Sequence, residues 1–302
     1  MLGVVLAFVS SVFWGASDFA GGVSSRRSTA LAATLWSFIG ATVASVIVIL
    51  AVPGEWSRSA ILAGLVAGVL GLAGFLTLYA SLASAPMGVV TVIVGAVEAI
   101  VPVVVGVLWY HEGLSLLAWS GIVIALVGAA IIGWAEATGA GADNSGGRSA
   151  ALGPLALAAA SGALFGFSVV ALDAAPADSG FITPALEVAM GLAVLVVLVW
   201  LVRHTSGARK VTDSLSITTG TAPSPRPAIL IGLVAGGFLA IANVTLLMAL
   251  REAPLAVVGV VLCLYPVTTA ILARVFLHER LTPKHLLGIA VALAGCVILA
   301  VG

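Results

Sequence analysis

Ten stretches of this chain are apolar over the length a helix needs to cross lipid: 2–20, 30–51, 59–82, 86–109, 115–134, 151–172, 181–202, 227–250, 254–277 and 283–301. About 20 residues at 1.5 Å each span the roughly 30 Å of hydrocarbon in a bilayer. Inside that layer no water can satisfy backbone amides, so a crossing segment closes its hydrogen bonds within itself. Membrane strands are the rival, but they run only about 9–11 residues and alternate polar with apolar. These runs are longer and show no sustained alternation. The chain is therefore expected to be an all-α membrane protein with ten transmembrane helices.

Composition agrees. The chain is 62% hydrophobic and only 8% charged, with mean hydropathy +1.26, whereas soluble domains are about a quarter charged. Twelve Lys and Arg balance twelve Asp and Glu. No basic block points to nucleic acid, and no acidic tail appears. Cys263 and Cys296 sit in apolar surroundings without CxxC or metal-ligand spacing, which suits small packing residues. HExxH, GxSxG and P-loop patterns are absent, so no enzyme chemistry, cofactor or metal is expected. The first apolar stretch lacks a basic leader and reads as the first span rather than a signal peptide.

Two polar stretches interrupt the spans. One contains GAGADNSGGRS and joins two halves; the other, 203–226, is expected to be a mobile, exposed loop. The organisation is then a first five-helix repeat at 1–134, a linker at 135–150 and a second repeat at 151–302. The halves resemble each other. SVFWGASDF (11–19) pairs with GALFGFSVV (162–170), setting Trp14-Gly15 against Phe165-Gly166. LYASLASAPMGVV (78–90) resembles LMALREAPLAVV (247–258), and WYHEG and FLHER close corresponding fourth spans. Five is odd, so the second copy enters the membrane from the opposite side: two inverted repeats, with a site expected between them.

Alternating topology puts Arg26, Arg27, Arg148, Arg203, Arg209, Lys210, Arg226, Arg274, Arg280 and Lys284 on one side, and only Arg58 and Arg251 on the other. The positive-inside rule makes the first side cytoplasmic and leaves both termini outside.

Glu98 is the sharpest anomaly. It lies mid-span, where lipid penalises a charged carboxylate, so it must face the bundle, take up a proton or find a partner. It is the candidate proton-coupling group, with a protonated structural glutamate as the alternative. Pro102, four residues on, either loosens the backbone there or kinks a packed helix. Glu187 and Asp18 lie nearer span ends and are candidates to line a substrate path or to reach water. Asn243 either binds a polar substrate or clips two helices together. Trp14, Trp36, Tyr79 and Tyr265 are candidate cavity walls, since aromatic faces bind organic cations and apolar groups; helix packing is their ordinary role. Pro266 removes a donor from span nine, and its freed carbonyl is a candidate cavity ligand. Pro86 and Pro254 open their helices at the first turn. Glu279 and Glu112 are expected to anchor helix ends near the head groups.

The paired motifs, FWGASDF with FGFSVV, and YASLASAP…WYHEG with ALREAP…YPVTTAILARVFLHERLTP, resemble the drug/metabolite transporter superfamily, specifically ten-span EamA-like permeases. Pro266 precedes Glu279 by thirteen residues, and Ala99 holds that place before Glu112. Glu98 stands beside this departure. The resemblance implies a secondary transporter working by alternating access, with a cavity between the halves and both termini cytoplasmic, against the charge bias. A small polar or amphipathic metabolite or drug is the expected cargo. Membrane lipids surround the chain, and protons and a homodimeric second copy are candidate partners. The bacterial cell membrane is the expected location. A non-transporting membrane receptor or assembly protein is the alternative.

Overall fold

A computed structural model describes residues 2–52, 54–109, 115–137, 147–215, 217, 225–252, 261, 264–279 and 282–301. Tyr110, Glu112, Pro254, Cys263, Arg280 and most of the linker lie outside the described residues. Helices α1 to α5 cover Leu2–Arg27, Ala30–Ala51, Arg58–Ser84, Met87–Trp109 and Leu116–Ala137. Then come α6 (Gly147–Asp173), α7 (Ile182–His204), α8 (Ser206–Ser214), α9 (Pro225–Glu252), α10 (Tyr265–Phe276) and α11 (Pro283–Val301). Among the described residues, six of these are long and apolar enough to cross a membrane. The protein is an all-α, multi-span membrane protein.

Local chemistry sets the helix ends. Thr29 and Ser57 accept from the amides of Ala32 and Ala60, each at 3.1 Å, satisfying donors that a first turn leaves open. Pro86 stands just before α4, and the amides of Val89 and Val90 donate to its carbonyl at 3.1 Å. The surface inverts that of a soluble protein: Ile47, Leu50, Leu62 and Phe276 are exposed, whereas Ser10, Ser17, Thr34, Ser161 and Thr269 are buried.

Two features depart from the sequence reading. Span nine does not run unbroken from 254 to 277. A helix begins at Tyr265 with Pro266 in its first turn, where a missing amide costs nothing. Pro266 therefore frees no carbonyl in mid-helix. At 12 residues α10 reaches about 18 Å, short of a full crossing. The stretch expected as a mobile loop contains α8, and beyond it the Ile217 carbonyl accepts from Leu31 N at 3.0 Å. Part of it is thus folded against α2.

Helices from the two ends of the sequence interleave. α1 packs chiefly on α9, α3 on α6, and α5 on α11; α2 adds to α9, α4 to α6, and α7 to α3. The α1–α9 seam is a row of serines. Ser10, Ser17 and Ser24 donate to the carbonyls of Ala242, Ala235 and Ala228 at 2.9, 2.9 and 2.8 Å. As one number rises by seven the other falls by seven, so the helices are antiparallel and meet every two turns. Ser81, Ser161 and Ser168 join α3 to α6 the same way, to Pro154, Gly74 and Ala67 at 2.7, 2.9 and 3.1 Å. In membranes such bonds average about 0.6 kcal/mol and reach about 1.7. They also fix register, which lipid-like side chains alone leave weakly specified. Small residues let the backbones touch. A β-carbon at Gly128 would strike the backbone of Ala292, and one at Gly295 that of Ala125.

Candidate functional site: carboxylates inside the bundle

Helix α1 carries the site's first wall. Ser11, Trp14 and Asp18 are spaced by three and four residues and so share one face. Serines 10, 17 and 24 occupy the neighbouring face, against α9. Ser11 is 1% exposed and Asp18 6%. The Ser11 hydroxyl and the Trp14 indole N–H are buried and find no partner among the described residues. Asp18 accepts no hydrogen bond from the described residues either. A stripe of unsatisfied polar groups is costly inside a membrane protein. It suits a surface that a ligand or water covers.

Close helix crossings bring the other walls in. Gly15 admits α10: a β-carbon there would meet the Tyr265 carbonyl at 2.5 Å and Thr268 at 2.6 Å. Thr269 donates to the Gly15 carbonyl at 3.0 Å across the same crossing. Gly162 and Gly166 admit α4 against α6, with Val97, Glu98 and Val101 as the neighbours. Tyr265 is thereby carried to α4, where its hydroxyl lies 3.4 Å from Glu98 Oε2 and beside Gly95. Its ring is 6.2 Å from that of Trp14. A hydroxyl–carboxylate bond is usually 2.5–3.0 Å, so Tyr265 holds Glu98 loosely and leaves it lone pairs to offer.

The acids lie near one another. Asp18 on α1 and Glu187 on α7 are both within electrostatic reach of Glu98. Glu187 Oε1 accepts from Ser168 at 3.0 Å. That hydroxyl also lies 3.1 Å from the Ala67 carbonyl; with one hydrogen, it serves one acceptor at a time. Tyr79 is fully buried, 3.4 Å from the Ser37 hydroxyl and edge-on to Phe75. It lies near Asp18, with its ring against Gly21. Arg26, Arg27, Arg203, Arg274 and Lys284, by contrast, stand in the last or first turns of their helices. The described interior therefore holds acids without a matching cation. Among the described residues no three His, Cys, Asp or Glu side chains gather as a metal site.

Of the sequence candidates, Trp14, Asp18, Tyr79, Glu98 and Tyr265 come together, and Glu187 joins them at longer range. Pro266 is buried beside Tyr265. Trp36 is different: its β-carbon sits over Gly232 on the α9 side. Asn243 is half-buried on α9, next to the carbonyl that Ser10 engages, and clips no helix among the described residues. The sequence reading missed Ser11 and Ser168. Ser11 had a signal, its place seven residues before Asp18. Ser168 had another, since FGFSVV aligns it with Ser17 of FWGASDF.

Glu279 does more than reach head groups. Its Oε1 is 2.8 Å from Arg26 Nη2, and its Oε2 accepts from Met87 N at 3.0 Å. Arg26 also donates to the carbonyls of Leu82 and Ala85, both at 2.8 Å. One ion pair thus ties the end of α1, the α3–α4 turn and the chain after α10. Arg26, Glu279 and the turn residues Ala83 to Pro86 border a recess of about 510 Å³. His278 beside it has φ 55°, a left-handed conformation that turns the chain sharply after α10.

Comparison with curated proteins finds no match. A protein of known crystal structure shares the fold with TM-score 0.60 at 15% identity, over 98% of this chain and 95% of the other. The EamA-like transporter family matches residues 1–134 and 152–301, nearly the whole sequence. The chain belongs to the EamA-like transporter family.

Proposed function

We propose that the protein is a secondary transporter that moves a small polar or amphipathic metabolite or drug by alternating access, with Glu98 as its proton-coupling group. The observation that carries this reading is a mid-helix carboxylate inside the bundle, shared through Tyr265 between the two ends of the sequence. A carboxylate there has two states of similar cost, charged with a partner or neutral without one. Substrate and proton can then favour different arrangements of the same helices.

We further propose ten spans in two inverted repeats, 1–134 and 151–302. Matched contacts support this. Glu98 and Tyr265 are 167 residues apart; Val101 and Thr268 share that separation. The first of each pair packs on Gly166 and the second on Gly15. Gly128 and Gly295 bear the same relation, as do Ala125 and Ala292, and Gly128 meets Ala292 while Gly295 meets Ala125. Two equivalent helices that cross antiparallel require a two-fold axis perpendicular to them, hence in the membrane plane. The basic ends of α1, α7 and α11 favour placing that face in the cytoplasm, in a bacterial cell membrane.

The test is flux into proteoliposomes under an imposed pH gradient. Glu98→Gln, at matched protein content, is expected to abolish gradient-driven accumulation while preserving exchange of substrate down its own gradient. Unchanged accumulation removes Glu98 from coupling.

A further inference from the structure

On the transport reading above, we infer that the interior site takes a cationic amphipathic substrate, an amine or quaternary ammonium attached to an apolar body, and that Asp18 is its principal counter-charge. Four observations converge. Asp18 is 6% exposed and accepts no hydrogen bond or ion pair from the described residues, although a buried carboxylate ordinarily recruits several donors. Glu98 stands within electrostatic reach of Asp18, and Glu187 within reach of Glu98, so the neighbouring carboxyl groups favour a cation over an anion. The described basic residues are at helix ends or on the exposed face of α8, and Arg26, the one nearest on α1, is engaged by Glu279 and two carbonyls. A carboxylate or phosphate substrate thus finds no free cation inside among the described residues.

The fourth observation points to a ligand independently of the acids. Ser11, 1% exposed, keeps an unpartnered hydroxyl on the face that carries Asp18, and a hydroxyl oxygen can accept from an ammonium N–H. Trp14 and Tyr265 stand at 54° with centroids 6.2 Å apart. The Trp14 indole lies between Ser11 and Asp18 on this face, and an indole attracts an alkylammonium head. The stripe thus offers a carboxylate, an indole and one hydroxyl in a row along α1. An amine can use all three; a quaternary ammonium uses the first two.

The test is equilibrium binding to the purified full-length chain in detergent, with benzyltrimethylammonium and benzoate as probes of opposite charge and similar size. Saturable binding of benzyltrimethylammonium, at least tenfold tighter than benzoate, is expected. Asp18→Asn should weaken it at least tenfold without changing benzoate. Equal or tighter benzoate binding overturns the inference, and that wild-type comparison decides even if the variant does not fold. Cation binding unchanged in a folded Asp18→Asn also overturns it. Counterflow in proteoliposomes separates this inference from the transport reading. Asp18-dependent cation binding without counterflow of the cation supports the site and refutes transport. Counterflow of benzoate but not of the cation supports transport and refutes the site's charge preference.

Discussion

Glu279→Gln should loosen the basic face of the bundle. Glu279 pairs with Arg26 at 2.8 Å, and the two side chains are 15% and 28% exposed. The same carboxylate accepts from Met87 N at 3.0 Å, at the start of α4. An exposed ion pair is worth about 0–1 kcal/mol, whereas a charge-assisted bond sheltered from water is worth about 1.5–3. Partial exposure sets this pair at about 1.5–2 kcal/mol. Glutamine keeps the shape but loses the charge, and it turns one NH2 toward a donor. If the pair exists only while this face is closed, the open population rises about 10–30-fold, since each 1.4 kcal/mol is a factor of ten. Thr91 reports the opening: it is fully buried one turn into α4 and donates to the Met87 carbonyl at 3.0 Å. With Cys263 and Cys296 replaced by serine, a Thr91→Cys thiol should react with a membrane-impermeant reagent about 10–30 times faster once Glu279→Gln is added. Arg209→Gln is the control, because its contact with Asp213 is 3.9 Å long and 73% and 44% exposed. An unchanged Thr91→Cys rate in a folded Glu279→Gln protein would refute the expectation that the Arg26–Glu279 pair holds this face closed.

Adjacent glycines should respond oppositely to alanine. A β-carbon at Gly236 strikes the Ser37 carbonyl of α2, whereas one at Gly237 meets nothing within 4 Å. Gly236→Ala should therefore lose about 1–3 kcal/mol in detergent unfolding, and Gly237→Ala should be neutral or slightly stabilising. Replacing Ser10, Ser17 and Ser24 together with alanine removes the three bonds to α9 and should lower stability by about 2 kcal/mol, read as a reduced melting temperature; no change would mean the seam is held by packing alone.

Much of the fold was legible because lipid imposes a simple demand on a chain: long apolar segments must close their own hydrogen bonds. The resemblance between the halves was also informative. Trp14-Gly15 aligned with Phe165-Gly166, and both glycines prove to be crossing points. Setting Ala99 against Pro266 placed Glu98 opposite Tyr265, and those two residues meet. Other features were hidden because they depend on partners remote in sequence. Nothing local marks Arg26 as the partner of Glu279, 253 residues away. The break before Tyr265 was masked by unbroken hydropathy, since a half-helix and a full span share the same composition.

Hydrophobic patterning alone determined that this chain lies in a membrane, that it is helical, and that a carboxylate at Glu98 cannot be indifferent to its surroundings. Each follows from the cost of polar groups in hydrocarbon, which depends on residue type and segment length. Tertiary structure decided which carboxylate is engaged and which is open. Tyr265 reaches Glu98 and Ser168 reaches Glu187 only because glycines let α1, α6 and α7 approach their neighbours closely. Asp18 faces the same interior with no described donor. That difference rests on distances of a few ångströms between helices far apart in the chain, and no run of neighbouring residues encodes them.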